Sequence, residues 1–544
     1  MRYRNPLLLL VPAALLYLLT MPTAYVIGDP YDELQFVLSG DAVFRPHHLL
    51  TTLLYRGGAL LLSWLPGTTA LHLQALVILS ALVALAGLLR IAQAGRQVSL
   101  LAGGLVAVAH AFWLHGSSIE TGMPALAALV WSVHAALRSH RAAEESAGWR
   151  DSAAPGRWRM LSAALFSLSV LLHVQGVILL PALLILLLPA GGGRELREAL
   201  ARIGLTLIGC IGGAYLLIGV SVLGHGSPAA LWAWVTTHHN QDSLAHLSGG
   251  IIAVARSLSG LLRLFVDIGS AGTVVRGILT GQGLASVGVQ QMLQLGAAGL
   301  TVLAVGLWTW FGRRSRLRLT LAAAVAAVSL LAFNSFWLGS DPQFWLNLLP
   351  FLFPVMTAGM RTVRRQSVRR QSLQRFALTG LLALLLAANL SVREPSLLFP
   401  GGDAAHRRAE LFAARHAGST LLTPGSRWSS ALISMEAPVR VRQMFKFERV
   451  EDMLSHCDGI IDGAMRRGDA VYVEGLEHVP PEMVGIWESV TSLFGVTREE
   501  LSAHLHARYR LEEVVVRRSG DTRIPLFAVH EKFTVRDGST SSLP

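Results

Sequence analysis

The sequence predicts an α-helical polytopic membrane protein that carries a C-terminal extracytoplasmic α/β domain. Three observations predict it. The 544 residues are 52% hydrophobic and only 15% charged, where a soluble domain carries roughly 25% charged residues. Apolar runs of roughly 18 residues or more recur through the first part of the chain, each long enough to cross a ~30 Å hydrocarbon layer. From Arg393 onward the charge density rises and short strand-like and helix-like segments alternate.

Eleven transmembrane helices are expected, at about 7–27, 68–89, 98–115, 122–138, 159–172, 176–190, 203–223, 289–311, 318–337, 345–360 and 376–391. The first has a basic start, but no A-x-A-like site ends it, so it reads as a retained span and not a cleaved leader. Arginines decide the orientation. With the N-terminus cytoplasmic, every strongly basic short loop falls inside, including "RTVRRQSVRRQSLQR" at 361–375 with six arginines. That agreement requires residues 47–66 to lie on the membrane as an amphipathic helix, since crossing would invert every later loop. Residues 250–285, interrupted by Arg256, Arg263 and Arg276, read the same way.

The domains are therefore 1–391, a multi-pass membrane domain; 392–535, an extracytoplasmic α/β domain; and 536–544, a disordered tail. In the α/β domain "TLLTPG", "VRVRQMF", "DAVYVEGL", "RYRLEEVVV" and "IPLFAVHE" read as strands. No G-x-G-x-x-G, P-loop or G-x-S-x-G occurs there, so cofactor binding is not supported. The net charge of +12 comes almost wholly from arginine, the only lysines being Lys446 and Lys532. Positive-inside loops explain this charge, and nucleic acid is set aside as a partner. The two cysteines, Cys210 and Cys457, read as unpaired thiols.

Acids beside a membrane are costly and call for a reason. Asp29, Asp32, Glu33 and Asp41 share the first outer loop, Glu120 follows the third span, and Asp341 lies between two late spans. His47, His48, His115, His173, His238 and His239 fall near the same face. Taken singly, each acid could be only solvated surface. Adjacent residues such as His238 and His239 point about 100° apart on a helix, which disfavours shared metal ligation. Trp232, Trp234, Trp337 and Trp345 read as interface anchors.

The order of these features resembles the GT-C superfamily of polyprenol-dependent glycosyltransferases, nearest the bacterial relatives of protein O-mannosyltransferases. "GDPYDE" supplies Gly28, Asp29, Asp32 and Glu33, and "RPHHLLTTLLYR" supplies Pro46, His47, His48 and the interfacial helix. Phe112-Trp113, then Glu120, matches the family's Phe-Trp…Glu, and "LLHVQGVILLP" and "SDPQFWLNLLPF" resemble later elements. Two departures concern specificity more than fold: the family's His-Pro order is Pro-His-His here, and its Tyr-Pro pair is absent.

The resemblance implies a cell-envelope glycosyltransferase moving a sugar from a polyprenyl phosphate to an acceptor hydroxyl on the extracytoplasmic face. Its partners would be the lipid-linked sugar, an acceptor protein, lipid or glycan, and membrane lipids. A carboxylate of the first outer loop would be general base, Asp32 or Glu33, with Asp29 as the alternative. Arg45, Arg56, Arg256 and Arg263 are candidates for the departing lipid phosphate, with headgroup contact as the plainer role of each. His47, His48, Glu120 and Asp341 would bind substrate; a divalent metal is allowed, not required. Other classes are a transporter or lipid flippase, or a non-catalytic membrane scaffold. No internal repeat of spans favours the former, and eleven spans exceed what an anchor needs.

Overall fold

The computed structural model describes residues 6–22, 29–39, 43–146, 153–189, 193–236, 250–268, 289–313, 317–336, 341–364, 368–391, 404–424, 427–444, 453–476, 487, 496–516 and 524–531. The chain divides into two compact units. One comprises Met1–Pro22 and Asp32–Leu398; the other comprises Thr23–Tyr31 and Phe399–Pro544.

The first unit is helical. It runs α1 (Leu7–Leu19), α2 (Asp29–Ser39, begun in the other unit), α3 (Thr51–Leu62), α4 (Thr69–Ile91), α5 (Arg96–Ala107), α6 (His110–Ser117), α7 (Gly122–Ser146) and α8 (Ala153–Leu172). A 3-10 turn, Val174–Leu179, leads into α9 (Leu180–Leu187). Then come α10 (Arg194–Val222), α11 (Pro228–Thr236), α12 (Gly250–Arg263), α13 (Val289–Arg313) and α14 (Leu317–Phe336). A second 3-10 turn, Pro342–Leu348, precedes α15 (Leu349–Arg364) and α16 (Val368–Leu390).

Among the described residues five helices are long and apolar enough to cross a membrane: α4, α10, and the segments Met292–Arg313, Leu317–Phe336 and Gln371–Leu390. The pair α5 and α6 makes a sixth if counted as one span, bent by 66°. These give a multi-pass membrane protein. The helix α3 has 12 residues, about 18 Å at 1.5 Å per residue, too short for a ~30 Å layer.

The expected span 98–115 is thus not straight, and the break has a physical reason. At its hinge Val108, Ala109 and His110 are buried, so their backbone groups need partners. Asn389 Nδ2 donates to Val108 O (2.8 Å) and to Phe265 O (2.9 Å). The amides of His110 and Ala111 donate to Phe265 O and Leu264 O at 3.0 and 3.2 Å. A side chain of α16 and the segment after α12 therefore complete the broken helix.

Polar side chains also join α7 to α8. Ser132 Oγ donates to Ser162 O, and Ser162 Oγ to Ser132 O, both at 2.8 Å. Nearer the end of α8, Ser169 Oγ donates to Ala125 O at 2.8 Å. Such bonds serve as interhelical glue where apolar burial gives no preference for protein over lipid.

The second unit holds α17 (Ala404–Arg415), β1 (Thr420–Thr423), α18 (Arg427–Ser434), β2 (Arg440–Gln443), α19 (Met453–Arg466), β3 (Val471–Glu474), α20 (Arg498–Arg508), β4 (Tyr509–Val516) and β5 (Ile524–Glu531). The five segments read as strands are the five strands, in the order β2-β1-β3-β5-β4. β1 pairs in parallel with β2 and β3, while β5 runs antiparallel to β3 and β4. Alternation puts Leu421 and Val441 against Phe412 and Trp428 on one face, and Leu422 and Val473 against Cys457 and Leu505 on the other. Glu474 is fully buried and accepts from Trp428 Nε1 (2.5 Å) and Thr423 Oγ1 (2.6 Å). Both cysteines are free. The expected 536–544 tail lies outside the described residues, as do residues 477–495 except Trp487.

α13 and α15 cross where two glycines meet backbone. A Cβ on Gly312 would strike Val355 O, and one on Gly359 would strike Trp308 O. Gly359→Ala and Gly312→Ala are therefore expected to lower the melting temperature in detergent, at an overpacking cost of about 1–3 kcal/mol. Gly380→Ala, with nothing within 4 Å of the new Cβ, is not. Equal melting of all three variants would refute the close crossing.

Candidate active site

The site is built on the turn between α2 and α3. Its sequence, "RPHHLL", has no regular element of its own, so its backbone must find partners elsewhere. The turn closes on itself through His48 N to Arg45 O at 3.0 Å. It is then stitched to the last carbonyls of α8, which a helix end leaves open. Leu50 N donates to Leu171 O (3.0 Å) and Val174 N to His47 O (3.0 Å). Thr51 Oγ1 donates to Leu172 O at 2.5 Å, and His48 Nδ1 lies 3.3 Å from the same oxygen. Tyr215 of α10 donates its hydroxyl to Pro46 O.

Glu33 projects from α2 into this frame and is fully buried. It forms an ion pair with Arg45, itself 6% exposed. Thr52 Oγ1 donates to Glu33 Oε2 at 3.1 Å and accepts from Arg45 Nη2 at 3.4 Å. The guanidinium lies 4.5 Å from the Phe36 ring centroid, one turn along α2. The three polar groups thus close a ring that neutralises and hydrogen-bonds both charges, the condition for burying an ion pair.

Three imidazoles continue outward from Arg45. The rings of His47 and His48 meet edge-on at 4.4 Å, and those of His48 and His173 at 4.7 Å. Burial, then the neighbouring His47, His173 and Arg45, hold the His48 pKa well below its ordinary 6.5. His48 is therefore neutral at pH 7, with Nδ1–H directed at the Leu172 carbonyl.

Glu120 forms a second carboxylate site. His115 Nδ1 lies 3.0 Å from Glu120 Oε1, and both residues are 7% exposed. Tyr55 of α3 donates to the Glu120 main-chain oxygen. Thr52 and Tyr55 stand three residues apart, on one face of α3 and ~4.5 Å apart along its axis. The short helix thereby fixes Glu33 and Glu120 relative to one another. Behind them, fully buried Trp113 donates to Thr20 Oγ1 (2.6 Å), tying α6 to the end of α1, and Tyr17 of α1 donates to Ala107 O of α5 (2.8 Å).

The remaining candidates separate. Asp341 caps the second 3-10 turn, Oδ1 accepting from Gln343 N at 2.9 Å. That turn reaches the histidines through Phe344, 6.3 Å from the His173 ring. Arg263 pairs instead with Asp267 at 3.6 Å, and Asp267 lies 4.0 Å from His110 Nε2, at the α5–α6 break. Arg56 is exposed on α3. Asp29 and Asp32 lie on α2 and Arg256 on α12, with side chains outside the described set; Asp41, His238 and His239 lie outside it altogether. Among the described residues no three His, Cys, Asp or Glu side chains are grouped to share a metal ion.

Thr52, Tyr55, Gln175 and Asn347 were not among the sequence-selected residues. For the first two a signal existed: polar groups at i and i+3 in "LLTTLLYR" mark one face of an otherwise apolar helix.

The His48 shift makes a pH prediction. The unfolded state takes up a proton near pH 6.5 that the native ring refuses, so stability rises with pH through that window. His48's contribution is complete above about pH 6.5 and is lost as pH falls below it. The melting temperature of wild type should fall more than that of His48→Gln between pH 7.5 and 5; parallel falls would mean that His48 titrates normally.

No family model matches the sequence, and no curated protein matches it. Solved structures do. The fold is similar to that of ArnT from Cupriavidus metallidurans bound to undecaprenyl phosphate, with TM-score 0.55 and 12% identity over 96% of this chain and 97% of ArnT. It is also similar to the Archaeoglobus fulgidus oligosaccharyltransferase, in the apo form (TM-score 0.50, 12% identity, 97% of this chain and 74% of that one) and in complex with Zn and sulfate (TM-score 0.50, 11% identity, 96% and 73%). At this identity the likeness is one of fold, and the fold is that expected from the first outer loop and the Phe112-Trp113…Glu120 pattern.

Proposed function

We propose that the protein is a membrane-embedded glycosyltransferase moving a sugar from a polyprenyl phosphate to an acceptor hydroxyl on the extracytoplasmic face. The observation that carries this is the fixed outer turn: a buried Glu33–Arg45–Thr52 ring, stitched to the end of α8, on a GT-C-like fold. ArnT, bound to undecaprenyl phosphate, supports the donor class. The arginine pattern supports an inside N-terminus and an outside C-terminal domain.

In the transfer, the acceptor oxygen forms a bond to the anomeric carbon as the bond from that carbon to the phosphate oxygen breaks. The electron pair leaves with the lipid phosphate, which gains one negative charge. The acceptor proton goes to a carboxylate. Glu33 is ill suited to receive it, since both of its oxygens are engaged by buried partners. We assign the proton to Asp32, its neighbour on α2, with Asp29 as the alternative, and assign Glu33 to positioning Arg45. Arg56, exposed on α3, would meet the departing phosphate, with Arg256 and Arg263 as further candidates. Glu120, held by His115 and Tyr55, would orient the acceptor or the sugar. His47, His48 and Asp341 would contribute substrate contacts, Asp341 through the turn it caps.

Radiolabelled polyprenyl-phosphate sugar, presented to the purified protein in liposomes, tests this. Asp32→Asn is expected to slow donor consumption by about 10²–10⁴-fold, the span of general-base effects, without weakening donor binding. Glu33→Gln should impair binding and turnover together by loosening Arg45. If the Asp32→Asn/Glu33→Gln double variant consumes donor as fast as wild type, the outer loop is not catalytic.

A further inference from the structure

We propose that a small amide-lined niche beside His173 receives one neutral hydroxyl of the transferred sugar and so selects uncharged sugars. This rests on the glycosyl-transfer reading above. The polar lining of the niche is Ser169 at the end of α8, His173, Gln175 of the first 3-10 turn, and Gln343 and Asn347 of the second; Leu346, Ala125 and two glycines complete it. It has room for about one water-sized group, which suits a hydroxyl and not a whole ring.

The polar groups around it are held in place. Gln175 is 4% exposed. Its Nε2 donates to Phe344 O at 3.4 Å and its Oε1 accepts from Asn347 Nδ2 at 3.3 Å. With its amide nitrogen turned to Gln175, Asn347 presents its carbonyl end as an acceptor. Ser169 gives its proton to Ala125 O, so its oxygen serves as an acceptor. Gln343 brings both amide donors and a carbonyl, and its backbone is fixed by Asp341. A hydroxyl both donates and accepts, so it matches this mixed set.

Charge is the discriminating feature. Among the described residues no carboxylate, lysine or arginine lines the niche. A carboxylate or ammonium on the sugar would lose water there without gaining a counter-charge. Position links the niche to the chemistry, because His173 also meets His48 of the catalytic turn at 4.7 Å. A sugar hydroxyl seated here places its ring toward the turn of Arg45 and His48, which Glu33 of α2 braces.

The test uses full-length protein in detergent, titrated with undecaprenyl phosphate mannose and with undecaprenyl phosphate. Wild type should bind the mannosyl lipid at least ~10-fold more tightly, about one hydrogen bond's worth. Asn347→Asp and Gln343→Glu should each abolish most of that increment while leaving undecaprenyl phosphate affinity within about twofold. Gln343 and Asn347 are both half-buried, and the Gln343 side chain lies apart from the Gln175–Asn347 hydrogen bond, so Gln343→Glu reads the niche independently of Asn347→Asp. Equal affinity of wild type for the two lipids, or an increment kept in Gln343→Glu, overturns the inference and leaves the niche to a structural water. A failure of the catalytic reading looks different: the sugar increment and its loss in the variants persist, but wild type does not consume the donor.

Discussion

The polar site of the helical unit depends on one buried ion pair. Glu33 and Arg45 come from different elements, α2 and the following turn; Glu33 is fully buried and Arg45 nearly so. Two charges so placed are tolerable only together, and removing one strands the other at a cost of about 3–5 kcal/mol. Thr52 adds the third corner and brings α3 into the same ring. From there the order passes outward, by Tyr55 to Glu120 and by the turn's backbone to the end of α8.

The second constraint is backbone satisfaction. Irregular chain buried from water persists only where protein completes its hydrogen bonds. Here the irregular pieces are the 66° break before α6, the two 3-10 turns and the 45–50 turn, and each is completed by a distant partner. Asn389 serves the break, α8 serves the turn, and Gln175 links one 3-10 turn to the other. Straight helices form the remainder of the bundle. The candidate chemistry therefore sits where local regularity has been given up and rebuilt by tertiary contacts, an arrangement that fixes polar groups without exposing them.

The sequence was informative where the signal is local. Hydropathy places α4 and α14 within a few residues, and the short apolar segments after Arg393 match the five strands of the described sheet. It also found the loop, since four acids beside a span stand out by composition. It read 98–115 as one span because the residue that permits the bend, Asn389, is 281 positions from the carbonyl it serves. It ranked Asp32 and Glu33 alike because burial is invisible in a string of letters. The amides Gln175 and Asn347 carry no charge and interrupt no apolar run, so nothing marked them.

The Glu33–Arg45 pair is the claim on which the other roles rest, and a double-mutant cycle measures it directly. Thermal stability would be compared for wild type, Glu33→Gln, Arg45→Met and the double variant at one pH and in one detergent. Each single change should be strongly destabilising, and the double should lose clearly less than the sum, because the second change removes a charge already stranded by the first. Strictly additive losses would contradict the pair and with it the positioning role assigned to Glu33.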